Sequence, residues 1–341
     1  MNFLIVFDKQ LNQKSIIPFS EATLPIHIWD WQTFQFTTTS QDIETDDFIT
    51  IIENKQPIFS GIIVQAVPSG NVVKVEGYDL RYLLDGMQVN YLYKRSLVSA
   101  VNISGNSVDV IKSIISKAFP LATVILEADE NRTTFSFSPR LKTAHEFLRL
   151  NNVNNDMLYQ IYIVSKKRII VKIKYLRDLS HSVVLLSNIT HEQVEKTKSV
   201  KNKYNQILGL GSGEDDNRDY YFHDAKKGDD YPHCYIYDLR ENITSSELKE
   251  RTLTKFKELE FEYFIQLKTL NNNVAKFLVD YDLGDYVTFT SDKNEAVKDL
   301  ITFYTIEYKN GIRKDGYELS TGINKNALTQ KIKELKEGGY K

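Results

Sequence analysis

The sequence predicts a β-rich protein of mixed α+β class that folds as several domains. Runs of β-branched and aromatic residues, broken by turn formers, dominate both ends of the chain, and helical periodicity is confined to a few stretches. A length of 341 residues exceeds what one core usually organises. One element also occurs twice, as "DDFITII" at 46–52 and "GDYVTFT" at 284–290. We therefore expect two similar β-barrel domains, an α+β domain and a helix-containing insertion.

The first predicted β-barrel domain comprises residues 1–95. Its apolar runs are short and lie between turn formers such as Glu53–Pro57 and Pro68–Asn71, which is typical of a small barrel or sandwich. The predicted strands are "FLIVFD", "LPIHIWDWQTFQFTTT", "DFITIIE", "PIFSGIIVQAV" and "NVVKVEGY".

Residues 96–195 are predicted to form the α+β domain. Asn106 precedes apolar residues at helical spacing, and Pro120 ends this helix. Thr143 with Glu146 predicts a capping box that opens a second helix. The runs "MLYQIYIV" and "RIIVKIKYL" then predict a hairpin. The second run is strongly basic, so it could contact nucleic acid. Its alternation of apolar and basic residues instead favours a half-buried strand with one solvated face.

The second predicted β-barrel domain comprises residues 196–218 and 265–322, and residues 219–264 form the helix-containing insertion. Thr244 with Glu247 opens the longest predicted helix. This helix is expected to run through Leu248, Phe256, Leu259 and Tyr263. Residues 323–341 are predicted to be a C-terminal helix and tail, with a short apolar stripe formed by Ala327, Leu328, Ile332 and Leu335.

The repeated element predicts equivalent strands. Alternation places Ile49 and Ile51, or Val287 and Phe289, on one face and Thr50 or Thr288 on the other. "GYDL" at 77–80 follows the first copy at nearly the spacing at which "GYEL" at 316–319 follows the second. We therefore expect residues 46–78 and 284–317 to be superimposable. In the next strands, Phe59, Ile62 and Val64 are matched with Ile301, Phe303 and Ile306.

Composition and charge exclude several classes of protein. With 42% hydrophobic and 26% charged residues and no apolar run of about 18, the sequence predicts no membrane span. The N-terminal "MNFLIVFDKQ" has too short an apolar run for a signal peptide. A net charge of -2 argues against a general polyanion binder. The single cysteine, Cys234, excludes an internal disulfide and indicates synthesis in a reducing cytosol.

No catalytic, cofactor-binding or metal site is predicted. "GLGSGE" at 209–214 has glutamate where a dinucleotide fingerprint needs its last glycine, so we expect no nucleotide binding. His223, His233 and Cys234 could in principle hold zinc, but they are predicted to be loop residues without metal. The acid pairs Asp46–Asp47 and Asp229–Asp230 are predicted to be solvated turn residues.

The order of these elements resembles the hub proteins of bacteriophage tails, also called tail-associated proteins. The resemblance covers nearly the whole chain and rests on "YNQILGLGSGE", followed by Arg218, and on "YDLGDYVTF". The best-matching residues are Asn205, Gly211, Gly213, Glu214 and Arg218 in the first motif, and Asp282, Gly284, Asp285 and Val287 in the second.

The resemblance implies a structural virion protein without enzymatic activity. In such hubs three chains place six similar barrels in a ring, which joins the sixfold tail tube to threefold tip components. It implies a homotrimer at the virion tail tip, made in the bacterial host cytoplasm, with a distal tail or tube protein above, a fibre or spike protein below and no stable nucleic-acid binding. Many tail-associated proteins extend into a C-terminal region with hydrolase or receptor-binding activity, and because this sequence stops after one short predicted helix, we expect no lysis or adhesion function of that kind here. The alternative is a β-rich protein that binds or hydrolyses cell-wall polysaccharide through its aromatic residues and acid pairs.

Overall fold

The structure is a computed structural model that describes residues 3–95, 101–128, 134–137, 142–187, 189–191, 195–198, 204–213, 217–226, 231–240, 243–259, 263–270, 275–290, 296–314 and 317–321. The chain divides into two compact units. The large unit comprises Met1–Gln193 and Leu267–Leu319, and the small unit comprises Val194–Gln266 and Ser320–Lys341. The predicted β-rich, mixed class is confirmed, because strands greatly outnumber helices among the described residues.

The elements of the described residues follow one another along the chain in this order. The first half contains β1 (Phe3–Phe7), β2 (Gln13–Pro18), β3 (Glu21–His27), β4 (Thr33–Thr38), β5 (Phe48–Glu53), β6 (Gln56–Ser69), β7 (Val72–Asp79), α1 (Tyr82–Asp85), α2 (Val89–Lys94), β8 (Ile103–Asn106), α3 (Ser107–Ala118), β9 (Thr123–Ala128), β10 (Thr134–Phe137), α4 (Ala144–Asn154), β11 (Met157–Ser165) and β12 (Arg168–Tyr175). The second half contains β13 (Arg177–Asp178), β14 (Val184–Leu185), β15 (Glu195–Lys198), β16 (Gln206–Leu210), β17 (Tyr220–Asp224), β18 (Cys234–Asp238), α5 (Ser245–Leu259), β19 (Tyr263–Lys268), β20 (Asp285–Thr290), β21 (Ala296–Lys309), β22 (Ile312–Arg313) and β23 (Glu318–Thr321).

The main sheet of the large unit runs in the order β21-β3-β4-β7-β6-β5-β1-β2, with antiparallel neighbours throughout. The predicted strand "LPIHIWDWQTFQFTTT" is divided into β3 and β4. The division follows from a turn in which His27 Nδ1 accepts hydrogen bonds from the amides of Trp29 and Asp30, at 3.2 and 3.0 Å. The edge strand β2 was not predicted, because its run of apolar residues is only two long.

The two predicted barrels are not confirmed. The second repeated hairpin contributes β21 to the same sheet as the first, next to β3, and no sheet closes on itself within the described residues. The predicted domain segments, 1–95, 96–195, 196–218 with 265–322, 219–264 and 323–341, stay a prediction.

The helical part of the large unit agrees with its local sequence signals. The Asn106 side chain accepts hydrogen bonds from the amides of Val108 and Asp109 at the start of α3, and the Thr143–Glu146 capping box opens α4. The predicted hairpin is β11–β12. The basic strand β12 buries Val171 and Ile173 and leaves its lysines partly exposed, as the alternation predicted. These elements and the sheet share one apolar core.

The small unit contains a three-stranded sheet covered on one face by a helix. β16 lies in the centre, antiparallel to β17 and parallel to β18, and α5 packs against β16 and β17. The predicted continuation of α5 to Tyr263 is wrong, because Tyr263 begins β19 and pairs with Lys198 of β15. The predicted C-terminal helix lies outside the described residues. None of the described helices has the length and hydropathy needed to span a bilayer.

Candidate functional site

The turn that precedes β5 holds a buried carboxylate. Asp46 has a left-handed backbone (φ 68°) and donates its amide to the carbonyl oxygen of Ile63 at 2.8 Å. The carboxylate of the next residue, Asp47, accepts a hydrogen bond from the backbone amide of Glu44 at 2.9 Å. Asp47 is 3% exposed, and Lys14 Nζ lies 3.1 Å from its Oδ2. We call residues 44–47 the first carboxylate turn.

The turn that precedes β20 has the same construction. Gly284 is left-handed (φ 82°) and donates its amide to the carbonyl oxygen of Ile301 at 2.9 Å. The Asp285 carboxylate is fully buried and accepts the amide of Asp282 at 2.8 Å. A Cβ on Gly284 would lie 2.5 Å from Leu158 Cδ2, so glycine is needed here both for conformation and for space. Residues 282–285 are the second carboxylate turn.

The hairpins that follow the two turns have identical registers. Phe48 pairs with Ile62 and Thr50 with Ser60 in the first hairpin. The equivalent pairs of the second hairpin are Tyr286 with Leu300 and Thr288 with Lys298, at the same separations along the chain. Ile49, Ile51, Val287 and Phe289 are all at most 2% exposed, which confirms the predicted equivalent core positions.

One detail of the predicted repeat is wrong. By the shared register, Phe59, Ile62 and Val64 of the first hairpin are equivalent to Val297, Leu300 and Thr302 of the second. The sequence had instead matched them with Ile301, Phe303 and Ile306. That match followed apolar character and ignored strand pairing. The flanking strands also differ, because β5 lies beside antiparallel β1 and β20 beside parallel β13 and β14. Gly316 lies outside the described residues, so the "GYDL" and "GYEL" match stays a prediction.

The second turn carries the stronger charge cluster. The Asp285 carboxylate forms an ion pair with Lys174 Nζ, at 2.9 Å. It also accepts two hydrogen bonds from the Arg177 guanidinium, at 2.9 and 2.6 Å. Lys174 also donates to the carbonyl oxygen of Leu283 at 2.9 Å. Burial raises the pKa of Asp282 and outweighs the opposing effect of Lys174. The second carboxylate turn therefore receives one counter-charge from β12, Lys174, and one from β13, Arg177.

The acid pair Asp46–Asp47 was predicted to be solvated, and this is correct only for Asp46. The Asp46 side chain is 58% exposed, but Asp47 is buried against Lys14. Sequence reasoning missed this burial because Lys14 lies on the unpredicted strand β2. Both buried aspartates are held in ion pairs, Asp47 with Lys14 and Asp285 with Lys174 and Arg177. Asp229 and Asp230 lie outside the described residues.

The motif "GLGSGE" is used for packing in the small unit. Gly209 lies in β16 where a Cβ would be 1.9 Å from Thr252 Oγ1 of α5, so the glycine allows the helix to approach the sheet. The Asn205 side chain donates to the carbonyl oxygen of Tyr231 at 2.8 Å and accepts the amide of His233 at 2.7 Å. Arg218 donates to the carbonyl oxygen of Gly211 at 3.0 Å and pairs with Asp238. Three of the residues that the hub resemblance singled out, Asn205, Gly211 and Arg218, therefore make structural contacts within this unit. Glu214 lies outside the described residues.

The large unit also contains a partly buried polar cluster centred on Asp30, for which the sequence gives no signal. Arg149 Nε lies 3.2 Å and His145 Nε2 3.6 Å from Asp30 Oδ1, and His27 Nδ1 is 3.7 Å from Oδ2. Because His27 Nδ1 accepts two backbone amides, it carries no proton, and its contact with Asp30 is not an ion pair. Burial lowers the pKa of His27 to about 4. The separation of residue 30 from 145 and 149 along the chain left no local signal.

Among the described residues, no group of three histidine, cysteine, aspartate or glutamate side chains is arranged so that it could hold a metal ion. His223 and Cys234 were predicted to lie in loops, but they are strand residues of β17 and β18. His223 faces α5, where its ring is 4.9 Å from that of Phe256, whereas Cys234 pairs in register with Gln206 and is exposed. Strand alternation therefore directs their side chains to opposite faces of the sheet.

No protein family and no curated protein matches the sequence. Solved structures do match. The 43 kDa tail protein of prophage MuSo2 from Shewanella oneidensis aligns with a TM-score of 0.62 and 11% identity, over 94% of this chain and 98% of that chain. The tail protein from Neisseria meningitidis MC58 gives 0.61 and 11% over 95% and 97%. Prophage tail protein gp18 from Listeria monocytogenes EGD-e gives 0.60 and 11% over 98% of each chain. The predicted resemblance is confirmed at the level of fold: the chain has the fold of these phage tail proteins.

Proposed function

We propose that the chain is a structural component of a phage tail, a trimeric hub at the tail tip or baseplate. The observation that carries this proposal is the repeat of a carboxylate turn and hairpin with identical register. The shared fold with three phage tail proteins, over nearly the whole of each chain, supports a role in the tail.

The repeat has a physical use in a symmetric assembly. Three copies of a chain that carries one element twice present six near-equivalent elements, while every other part of the chain is present three times. Such a trimer can match a sixfold tube on one side and a threefold fibre or spike on the other. In this proposal residues 1–95, and 196–218 with 265–322, supply the six barrels, and the protein joins tube to tip during host attachment and DNA delivery.

The role proposed here is not enzymatic. Hydrolysis of a polysaccharide needs two carboxyl groups that face each other across a cleft, with one of them able to hold a proton. Asp47 is bound to Lys14, and Asp285 to Lys174 and Arg177. The described contacts of these aspartates therefore favour the structural role over the cell-wall enzyme.

The molar mass in solution tests the proposal. Light scattering across a concentration series is expected to rise from one chain of 39.5 kDa towards a plateau at three chains. The same preparation should release no reducing sugar from peptidoglycan. A plateau at two chains contradicts the trimer, and sugar release that is lost in an Asp229→Asn, Asp230→Asn variant supports the enzyme instead.

A further inference from the structure

One edge of β6 is uncovered over part of its length. The first half of β6 pairs with β5 on this edge. The pairing ends at Ile63, which donates its amide to the carbonyl oxygen of Asp47 at 2.9 Å and whose own carbonyl oxygen accepts the amide of Asp46 at 2.8 Å. Beyond Ile63, the described residues place no strand on this side of β6, although β7 continues on the other side. We call residues 64–67 the open edge.

The second hairpin has the same edge, and there a strand covers it. By the shared register, residues 64–67 of β6 are equivalent to residues 302–305 of β21. β21 lies between β23 and β3, as β6 lies between β7 and β5. Beside this part of β21, Ile28 donates its amide to the carbonyl oxygen of Thr302 at 2.8 Å, and the residues of β3 that precede it continue the antiparallel pairing. The edge that holds β3 in the second copy of the repeat is therefore empty in the first.

Burial differs between the two equivalent edges. Val64 is 37% and Val67 43% exposed, whereas their equivalents Thr302 and Thr305 are 0% and 6% exposed. Unpaired backbone groups along a strand edge bind a further strand readily. Such a strand would also cover the two valines, so the open edge offers both hydrogen bonds and apolar surface to it.

Pro68 limits the length of the strand that can bind. Alternation from Thr302 directs the backbone groups of Ile306 towards β3, and Pro68 is the equivalent of Ile306. Because proline has no amide hydrogen, a strand on the open edge finds no donor at Pro68, and its pairing ends at residue 67. The matching strand is therefore as short as residues 64–67.

β15 is a strand of this length with an uncovered edge of its own. It comprises four residues, Glu195–Lys198, and pairs with β19 alone among the described strands. The order β15-β19-β23-β21 repeats the order β3-β4-β7-β6, so β15 is the counterpart of β3. Within the described residues the sheet does not close on itself, and β15 and β6 lie at opposite ends of these two runs. The β15 strand that can reach the open edge therefore belongs to another copy of the chain.

We propose that β15 of one copy of this chain adds to the open edge of β6 in the next copy. The pairing is antiparallel, as between β3 and β21, with Val64 opposite Lys198 and Val67 opposite Glu195. The contact joins two different surfaces, so it repeats from copy to copy and closes only as a ring. The pairing rests on the proposed trimer and names the strands that join its chains.

A disulfide between the two strands tests the pairing in the full-length chain. The exposed Cys234 is replaced by serine, and Gln65→Cys in β6 is combined with Thr197→Cys in β15, which the proposed register places opposite each other. Opposite residues of an antiparallel pair have Cα atoms about 4.5–5.5 Å apart, a separation that a disulfide bridges. Under mild oxidation we expect linked chains up to the trimer on a non-reducing gel. The control combines Thr197→Cys with Ser69→Cys, beyond Pro68, and should link severalfold more slowly.

The substitution Ala66→Pro provides the second measurement. It removes a backbone donor from the middle of the open edge, so the concentration at which light scattering reaches half of its plateau should rise at least about tenfold. The urea midpoint of tryptophan fluorescence should stay the same, because this edge has no partner within one chain.

The outcomes separate the strand pairing from the trimer. A particle of three chains in which Gln65→Cys links no faster than Ser69→Cys would overturn the pairing and leave the trimer. A particle of three chains that Ala66→Pro does not weaken would do the same. A chain that remains single at every concentration contradicts both.

Discussion

The second carboxylate turn yields the most specific prediction, for the substitution Asp285→Asn. The side chain keeps its size but loses its charge, so Lys174 and Arg177 are left beside a neutral group. Asparagine also has only one acceptor oxygen, so one of the two hydrogen bonds that Arg177 now donates to the Asp285 carboxylate is lost and an NH2 group faces Arg177 instead. We expect the large unit to be destabilised.

The magnitude follows from burial. Removing one partner of a buried ion pair typically costs about 3–5 kcal/mol, because the other charge is left uncompensated. Asp285 is fully buried, but the side chains of Lys174 and Arg177 are 21% and 50% exposed and can partly rehydrate. The expected loss is therefore near the lower limit, about 3 kcal/mol. With an m value of about 3 kcal/mol/M, the urea midpoint should fall by about 1 M.

Tryptophan fluorescence during urea unfolding measures this effect in the correct unit, because both tryptophans, Trp29 and Trp31, belong to the large unit. Asp46→Asn is the matched control. It removes a carboxylate that is 58% exposed, at a position where asparagine tolerates the left-handed backbone, so the midpoint should change little. A midpoint for Asp285→Asn as high as that of Asp46→Asn would refute the role assigned to the buried carboxylate.

Two further predictions concern His27 and Gly209. Burial lowers the pKa of folded His27 to about 4, so between about pH 6.5 and pH 4 the unfolded chain binds a proton that the folded chain does not. The contribution of His27 to the free energy of unfolding is therefore fully present above pH 6.5. It decreases by about 1.4 kcal/mol per pH unit as the pH falls through that window. His27→Asn, whose amide oxygen can accept the same two backbone hydrogen bonds, should flatten this part of the urea midpoint curve, and an unchanged slope would rule out His27 as its source. Gly209→Ala places a methyl group against Thr252 and should destabilise the small unit by about 1–3 kcal/mol. Hydrogen exchange in residues 204–213 measures this destabilisation, and adding Thr252→Ala should reduce the destabilisation. Unchanged exchange in Gly209→Ala would contradict the close approach of α5.

Features that depend on neighbouring residues were predictable from the sequence. The Asn106 cap, the Thr143–Glu146 capping box and the β11–β12 hairpin are each specified within a few residues, and all three are present. Alternation also placed Val287 and Phe289 in the core, because a strand with one buried face fixes its own register.

The parts that could not be predicted depend on contacts between distant residues. Asp47 reads as a solvated turn residue, because Lys14 lies 33 residues away on an edge strand without a clear apolar pattern. Asp285 and Arg177 are 108 residues apart. The parallel pairing of β9 with β12 likewise has no local signal. A buried charge is evident only once its counter-charge has been placed in space.

The symmetry of the assembled particle tests the central claim most directly. Electron microscopy of concentrated protein, cross-linked to preserve the assembly, would provide class averages viewed down the ring axis. The hub account predicts threefold averages with six similar lobes around the axis, two from each chain. Averages that show a closed twofold dimer, or a ring whose three chains each contribute one lobe, would contradict it.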